Sequence, residues 1–177
     1  NRQHDRCKKM NAEFIYQPIS GQYDEKSFDL DTVWKSSIWC WVKFTTDSTE
    51  EWVGSFRGVP IKTAIAENNR QVAVLTEDCI YILDIEKREI LFHEPQTQFC
   101  DLISVPSKDK FLVADYCQVG FLDKDFHFHA IKTNFDMDYI KFKNYNGDKL
   151  NIVIEKMPDY ERVDGYVDTK NWIIITK

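Results

Sequence analysis

Two histidines stand two residues apart in the segment KDFHFHAI, residues 124–131, and an aspartate precedes them at the same spacing. The aromatic and aliphatic residues here favour a β-strand, whose side chains alternate between two faces. Asp125, His127 and His129 would then share one face, with both phenylalanines on the other. Two imidazoles and a carboxylate can ligate a metal ion, but a zinc site usually needs a further ligand and hydrogen-bond partners for its histidines.

The other histidines of the chain are His4, in the polar start, and His93, on the corresponding strand of the preceding strand-rich segment. A metal-dependent enzyme using His93, His127 and His129 is therefore one alternative. A polar strand face open to water or to a partner is the simpler interpretation, because nothing else in the sequence supplies a complete ligand set.

Motifs for catalysis are missing from the sequence, which has no GxSxG, no glycine-rich phosphate loop and no HExxH. Asp123 with Asp125, and Asp136 with Asp138, have the same-face spacing that a glycosidase could use. Exposed strands produce such pairs routinely. The sequence therefore predicts a protein that is not an enzyme and that holds no metal and no cofactor.

Length and charge favour one folded unit with a protein partner. The chain has 177 residues, 43% of them hydrophobic, and a net charge of −6. Four cations and one anion fall in the first nine residues, so the remaining chain carries about −9. An acidic body disfavours nucleic acid and anionic membranes as partners and attracts basic proteins. The alternative is that the acidity only keeps the protein soluble. We expect a mobile polar segment at residues 1–11 and a single β-rich domain at 12–177.

The cysteines indicate a reducing compartment. They are odd in number, lack CxxC spacing, and two of them lie in apolar strand patterns, which suits buried thiols better than disulfides or zinc. The five are Cys7, Cys40, Cys79, Cys100 and Cys117. With no apolar run of about 18 residues and no signal-like start, the sequence predicts a cytoplasmic protein.

An internal repeat of about 39 residues is the strongest architectural signal. Residues 64–92 overlay residues 103–131 at a constant offset, which places the pair Leu83-Asp84 on Leu122-Asp123. A third copy at the same offset puts Asp109 and Lys110 on Asp148 and Lys149. It needs about six extra residues to bring Asp168 into register, which we interpret as a loop insertion.

Each repeat unit predicts four short strands separated by turn residues. The predicted strands of the two complete units are residues 62–66, 71–76, 79–85, 89–93, 100–105, 110–115, 118–123 and 126–132. Such units predict antiparallel meanders that bury their faces against neighbouring meanders.

The N-terminal third departs from the repeat. Residues 39–45 and 51–56 predict a hairpin, in which Trp39 and Trp41 share one face. Residues 13–19 predict a further strand.

The segment SFDLDTVWKSS, residues 27–37, predicts a short helix. Asp29 or Asp31 would cap its first turn, since a carboxylate accepts hydrogen bonds from free N–H groups there.

The two complete units resemble blades of WD40-type β-propellers, with Leu83-Asp84 and Leu122-Asp123 where such blades often end a strand in an acidic turn. The Gly-His and Trp-Asp signatures of that family are absent, and the chain is too short for seven blades. The resemblance implies a mainly β fold of four-stranded meanders forming a small or partial propeller. A β-sandwich is the alternative.

Aromatic residues among acidic ones predict a docking surface for a basic protein, because aromatics supply buried anchors and carboxylates supply steering. The alternative assigns the aromatics to the core and the acids to loops. The predicted partner-binding residues are Asp115, Tyr116, Asp123, Asp125, His127, His129, Asp136, Asp138, Tyr139, Asp159, Tyr160 and Glu161.

The acidic, aromatic C-terminal half and the hairpin containing EEWVGSFRG resemble bacterial immunity proteins of polymorphic toxin and contact-dependent growth inhibition systems. The resemblance implies a stoichiometric inhibitor of one cognate toxin domain, often a nuclease with a basic groove. A propeller-type interaction scaffold in a larger assembly is the alternative within the class of binding proteins.

Overall fold

The computed structural model describes residues 9–177, which form four four-stranded β-sheets. The mainly β fold that the sequence predicts is confirmed. Within the described range, helical structure is limited to a single 3-10 turn at Glu67–Asn69.

The strands follow one another along the chain, four to a sheet. The first sheet contains β1 (Asn11–Ile15), β2 (Asp24–Phe28), β3 (Trp39–Thr45) and β4 (Glu51–Arg57). The second sheet contains β5 (Pro60–Ala66), β6 (Gln71–Thr76), β7 (Cys79–Asp84) and β8 (Glu89–Pro95). The third sheet contains β9 (Asp101–Ser104), β10 (Phe111–Ala114), β11 (Val119–Leu122) and β12 (Phe128–Ala130). The fourth sheet contains β13 (Met137–Asn146), β14 (Lys149–Lys156), β15 (Glu161–Asp168) and β16 (Ile173–Thr176).

The second, third and fourth sheets are antiparallel meanders, as the repeat predicts. The first sheet is different, because its order is β1-β3-β4-β2 and β2 runs parallel to β4. Its central hairpin of β3 and β4 matches the predicted one. Cys40 and Val42 are buried while Trp39 and Trp41 are partly exposed, as the alternation predicts.

The four sheets pack face to face in chain order. Three apolar clusters lie between them, one between each pair of consecutive sheets. The middle sheets are covered on both faces, so β6 and β10 read as continuous apolar runs such as VAVL. In β3, which belongs to a terminal sheet, buried and half-exposed residues alternate. The arrangement fits a partial propeller and, taken in pairs of sheets, a sandwich.

The first strands of the sheets lie side by side and are joined by polar contacts. The Thr63 hydroxyl donates to the Ala12 carbonyl over 2.8 Å, which links β5 to β1. The buried Asp101 carboxylate on β9 receives Lys62 Nζ of β5 at 2.8 Å and the Phe142 amide of β13 at 2.8 Å. These contacts fix the spacing of the sheets along one edge.

The helix predicted at residues 27–37 is wrong. β2 ends at Phe28, and the following residues form an irregular loop. Instead of capping a helix, the Asp29 carboxylate receives two hydrogen bonds from the Arg57 guanidinium, at 2.7 and 3.1 Å. Arg57 also donates to the Ser36 carbonyl over 2.7 Å, so one side chain of β4 holds both ends of the loop.

The extra residues of the last repeat do not form a loop insertion. The turns between the second and third strands span four residues in both the third and the fourth sheet, at 115–118 and 157–160. β14 and β15 have eight residues each, whereas β10 and β11 have four each. The additional residues therefore lengthen a hairpin.

Two predicted boundaries also shift. The strand predicted at residues 126–132 is limited to Phe128–Ala130, because a turn holds the preceding residues. At the other end of the chain, Met10 is buried in the first apolar cluster and Asn11 begins β1, so the folded part starts before residue 12. The rest of the expected mobile segment, residues 1–8, lies outside the described range.

Candidate functional site

The same aspartate turn joins the third and fourth strands of three sheets. Asp84, Asp123 and Asp168 each follow or end the third strand, and each uses Oδ1 to accept two backbone N–H groups of the turn. A short carboxylate can bond to nearby amides in this way, which stabilises a turn that reverses the chain. The Leu-Asp pairs that mark the repeat therefore have a structural role.

In the third sheet, this turn also contains Asp125 and His127, two of the three residues that the sequence predicts on one face of a strand. Asp125 and His127 lie in the turn, so the strand interpretation is wrong for them. His129 is on β12, and its Nε2 lies 2.7 Å from Asp123 Oδ2. The hydrogen bond from His129, followed by those from the turn amides, lowers the pKa of Asp123 to about 2.

The turn brings together three side chains of the types that can ligate a metal ion. One ligand atom from each of Asp123, Asp125 and His127 lies within 4.8 Å of the others. His93 lies on β8, opposite Tyr81, and does not belong to this group. His93, His127 and His129 are thus not brought together, whereas Asp123, Asp125 and His127 are, and side chains of these types can ligate a metal ion.

A second group of predicted residues lies at the opposite end of the third sheet. β11 separates Asp123 from the turn that contains Asp115 and Tyr116. The Asp115 carboxylate accepts the amides of Cys117 and Gln118, at 2.8 and 2.7 Å. Tyr116 is 62% exposed at the tip of this turn.

The segment that leads into the fourth sheet lies beside this turn. Asp136 and Cys117 line one groove of about 370 Å³. Burial raises the pKa of the Cys117 thiol, and the charges of Asp115 and Asp138 raise it further. Asp138 is exposed at an irregularity of β13. It lies between the two β13 residues that pair with Lys156 and Glu155 of β14.

The long hairpin of the fourth sheet adds the remaining members. The Met157 amide donates to the Asp136 carbonyl over 3.0 Å, which ties the β14–β15 turn to the same end of the molecule. Tyr160 in this turn is 59% exposed. We call this end the tyrosine-carboxylate surface; it consists of Asp115, Tyr116, Asp136, Asp138, Asp159, Tyr160 and Glu161.

The carboxylates of this surface have no neutralising partner among the described residues. Within residues 9–177, none of its five acids lies within 4 Å of a lysine, arginine or histidine nitrogen. The nearby Lys156 donates to the Thr176 hydroxyl instead and lies 4.7 Å from the centre of the Phe135 ring. The negative charge of the tyrosine-carboxylate surface is therefore not compensated by cations within residues 9–177.

Tyr139, the last predicted residue, lies apart from that surface. It is on the outer face of the fourth sheet, opposite Glu155, and the Arg162 guanidinium lies 5.0 Å from its ring centre. Lys141 and Lys143 line the same shallow site. Tyr139 thus has basic neighbours, whereas the other tyrosines of the predicted set have acidic ones.

Sequence reasoning missed Asp101, the buried acid that joins three sheets. A signal was present, because Lys62 and Asp101 are 39 residues apart and so occupy equivalent positions of two repeats. Opposite charges at equivalent positions of neighbouring units indicate an ion pair between the units.

The described cysteines are all free thiols. Cys40 and Cys79 are buried, as predicted, and burial raises the pKa of each to about 12. Cys7 lies outside the described residues.

Comparison of the chain with protein-family models gives no match, and comparison with curated proteins gives none either. Among residues 9–177, no helix has the length and apolar character needed to cross a membrane.

Proposed function

We propose that this protein is a non-catalytic binding module whose tyrosine-carboxylate surface docks a basic protein domain. The observation that carries this proposal is the combination of two exposed tyrosines with five carboxylates that have no cationic partner in the described chain. Aromatic side chains of this kind supply binding anchors, and unpaired charges supply long-range attraction.

The local structure suits a docking role because turns between paired strands present the side chains. Asp115 holds its turn through two amide hydrogen bonds, so Tyr116 stands on an ordered loop. Tyr160 stands at the tip of a hairpin whose strands are four residues longer than those of the neighbouring sheet. Asp136 lines a groove together with Cys117, the residue that follows Tyr116.

The partner class that we propose is a cognate toxin domain, neutralised by a stoichiometric complex in the cytoplasm. A basic nuclease groove would match the uncompensated negative charge, and covering such a groove would block access of nucleic acid. The resemblance to immunity proteins of polymorphic toxin systems supports this choice of partner class.

The test starts with capture of a partner from native cells by the tagged full chain. The captured domain is then expressed alone and together with this protein, and cell growth, complex stoichiometry and association rate are measured. We expect growth arrest by the partner alone, rescue by co-expression, and a one-to-one complex.

A matched pair of variants locates the surface. Asp136→Lys with Asp138→Lys should abolish rescue, whereas Asp109→Lys with Asp148→Lys makes the same charge change among residues that already have lysine partners. Equal effects of the two pairs would show that only net charge matters. A captured partner that is harmless to cells would contradict toxin neutralisation. The binding data for the variants would then decide whether the tyrosine-carboxylate surface docks that partner.

One observation favours a scaffold as a second candidate. The outer face of the first sheet is not covered by another sheet of the described chain and carries the half-exposed Trp39 and Trp41. A scaffold would engage two partners at once, through this face and through the tyrosine-carboxylate surface. Ternary complexes that lose one partner with Trp41→Ala and the other with Tyr116→Ala would support this candidate.

A further inference from the structure

The turn between β11 and β12 gathers more donor groups than its chain reversal requires. Carboxylate oxygens of Asp123 and Asp125 and a ring nitrogen of His127 lie within 4.8 Å of one another. His127 Nδ1 is 3.6 Å from Asp123 Oδ2, and His129 Nε2 is 2.7 Å from the same oxygen. We propose that this turn is a binding site for a divalent transition-metal ion of the Zn²⁺ class, ligated by Asp123, Asp125 and His127.

The three equivalent turns of the molecule show which groups the chain reversal needs and which groups are additional. The equivalent turns after Asp84 and Asp168 reverse the chain with the same Oδ1 hydrogen bonds and contain no histidine. After Asp168, the second carboxylate oxygen receives the Asn171 amide instead, at 3.0 Å. In the third sheet, that second oxygen faces two imidazoles, so the histidines are additional to what the fold needs.

The donor chemistry selects the class of ion. Imidazole nitrogen together with carboxylate oxygen suits Zn²⁺ and its neighbours in the transition series, whereas Mg²⁺ and Ca²⁺ prefer oxygen ligands alone. Two carboxylates with a neutral imidazole give the group a charge of −2, which favours a dication. Three protein ligands leave the fourth position of a tetrahedral ion to water.

The backbone that carries these ligands is anchored on both sides by aromatic packing. Phe126 stacks on Phe92 at 5.4 Å between ring centres, and Phe128 packs against Phe99 at 5.5 Å. Both phenylalanines are partly buried and pack against the apolar cluster between the second and third sheets. The ligands are thus held on a fixed turn, which reduces the loss of conformational entropy on binding an ion.

His129 is a positioning residue in this site. Its ring stacks on Phe121 at 5.1 Å, and Phe121 packs on Trp172 of the fourth sheet at 4.3 Å. From this fixed place its hydrogen bond holds Asp123 Oδ2 towards the other ligands, as a histidine or carboxylate of an outer shell commonly does.

Two lysines lie close enough to oppose a cation. Lys110 and Lys124 line the shallow groove beside Asp123. Lys110 lies over the Phe121 and Trp172 rings and is 3.6 Å from Asp109, whose carboxylate offsets its charge. Lys124 is exposed, and solvent screens its charge.

The experiment titrates the chelator-treated full chain with Zn²⁺ alone by calorimetry, and with Co²⁺ alone by absorption spectroscopy. We expect one ion per chain and a cobalt spectrum without a thiolate charge-transfer band, which excludes the cysteines as ligands.

Four variants make the assignment specific. His127→Ala should weaken Zn²⁺ binding by at least about a hundredfold, and His129→Ala by about ten- to a hundredfold, as expected for an outer-shell partner. His93→Ala and Cys117→Ser should bind like the unmodified chain. Failure to bind Zn²⁺, or binding that survives His127→Ala unchanged, overturns the proposal; circular dichroism verifies that each variant is folded. The result is independent of the proposed docking function, since the two sites lie at opposite ends of the third sheet.

Discussion

The two ends of the third sheet have similar residues and different chemistry. At one end, Asp115 uses its carboxylate to hold a turn, and the neighbouring acids have no cationic partner in the described chain. At the other end, Asp123 holds an equivalent kind of turn and is also bonded to His129. The difference shows that residues of the same type have different partners once the backbone has folded, so acidic composition alone does not indicate which carboxylates keep an uncompensated charge.

The largest effect should come from a carboxylate that belongs to neither end. Asp101→Ala removes the acceptor for Lys62 and for the Phe142 amide, so we expect a loss of roughly 2–4 kcal/mol in the free energy of unfolding. Asp101→Asn retains an oxygen acceptor and should cost less. Urea unfolding measures both. If Asp101→Ala unfolded like the unmodified chain, the polar contacts between the first strands would have no role in holding the sheets together.

The next effect concerns binding and the exposed tyrosines. Tyr116→Ala with Tyr160→Ala should reduce affinity for the captured partner by about thirtyfold or more, since a central aromatic anchor contributes about 2 kcal/mol. Tyr16, which is 96% exposed in the loop after β1, provides the matched control. Calorimetric titration of the partner gives the dissociation constants. A Tyr16→Ala effect as large as that of the double variant would remove the tyrosine-carboxylate surface from the interface.

Salt should distinguish the two ends through the rate of association. Reversing Asp136 and Asp138 should slow association by about tenfold or more at low ionic strength, and the difference should shrink as salt screens the charges. Reversing Asp125, at the histidine end, should have a smaller effect on the same rate. Stopped-flow measurements from low to physiological salt provide the comparison. Rates that do not depend on salt would contradict electrostatic steering.

The smallest effect is a pH dependence at the histidine end. The hydrogen bond from His129 keeps the pKa of folded Asp123 at about 2, below its value of about 3.9 in an unfolded chain. The resulting stabilisation is present above about pH 4 and is lost as the pH falls towards 2. Asp123→Asn retains an Oδ1 acceptor for the turn but lacks the charge. Its melting temperature should therefore lie slightly below that of the unmodified chain at pH 5 and approach it at pH 2.

The periodic parts of the fold could be predicted from the sequence because the signals there are local. The alternation in WCWVKFT predicts β3 with its correct ends, and the 39-residue offset predicts the second and third sheets. The long alternation in KLNIVIEK also indicates the eight residues of β14. The prediction of a loop insertion in this repeat did not take that alternation into account.

The features that could not be predicted depend on contacts between distant residues. Arg57 holds the Asp29–Ser36 loop from 21 or more positions away, which overrides the local helix signal. The predicted partner-binding residues also lie in separate places, because β11 separates Asp115 from Asp123. No local sequence pattern indicates this separation. The cluster at Asp123 also depends on a turn, whereas the alternation of HFH suggests only a strand.

The stacking of sheets in chain order has a consequence for cooperativity. Each sheet shares an apolar cluster only with its neighbours in the chain, as in an array of repeats whose stability is a sum of unit and interface contributions. The middle sheets have two such interfaces and the terminal sheets have one. Amide hydrogens of the first and fourth sheets should therefore exchange by local opening at lower free energy than those of β6 and β10. A partner that binds the hairpin of the fourth sheet would then also raise the free energy needed to open that end of the array.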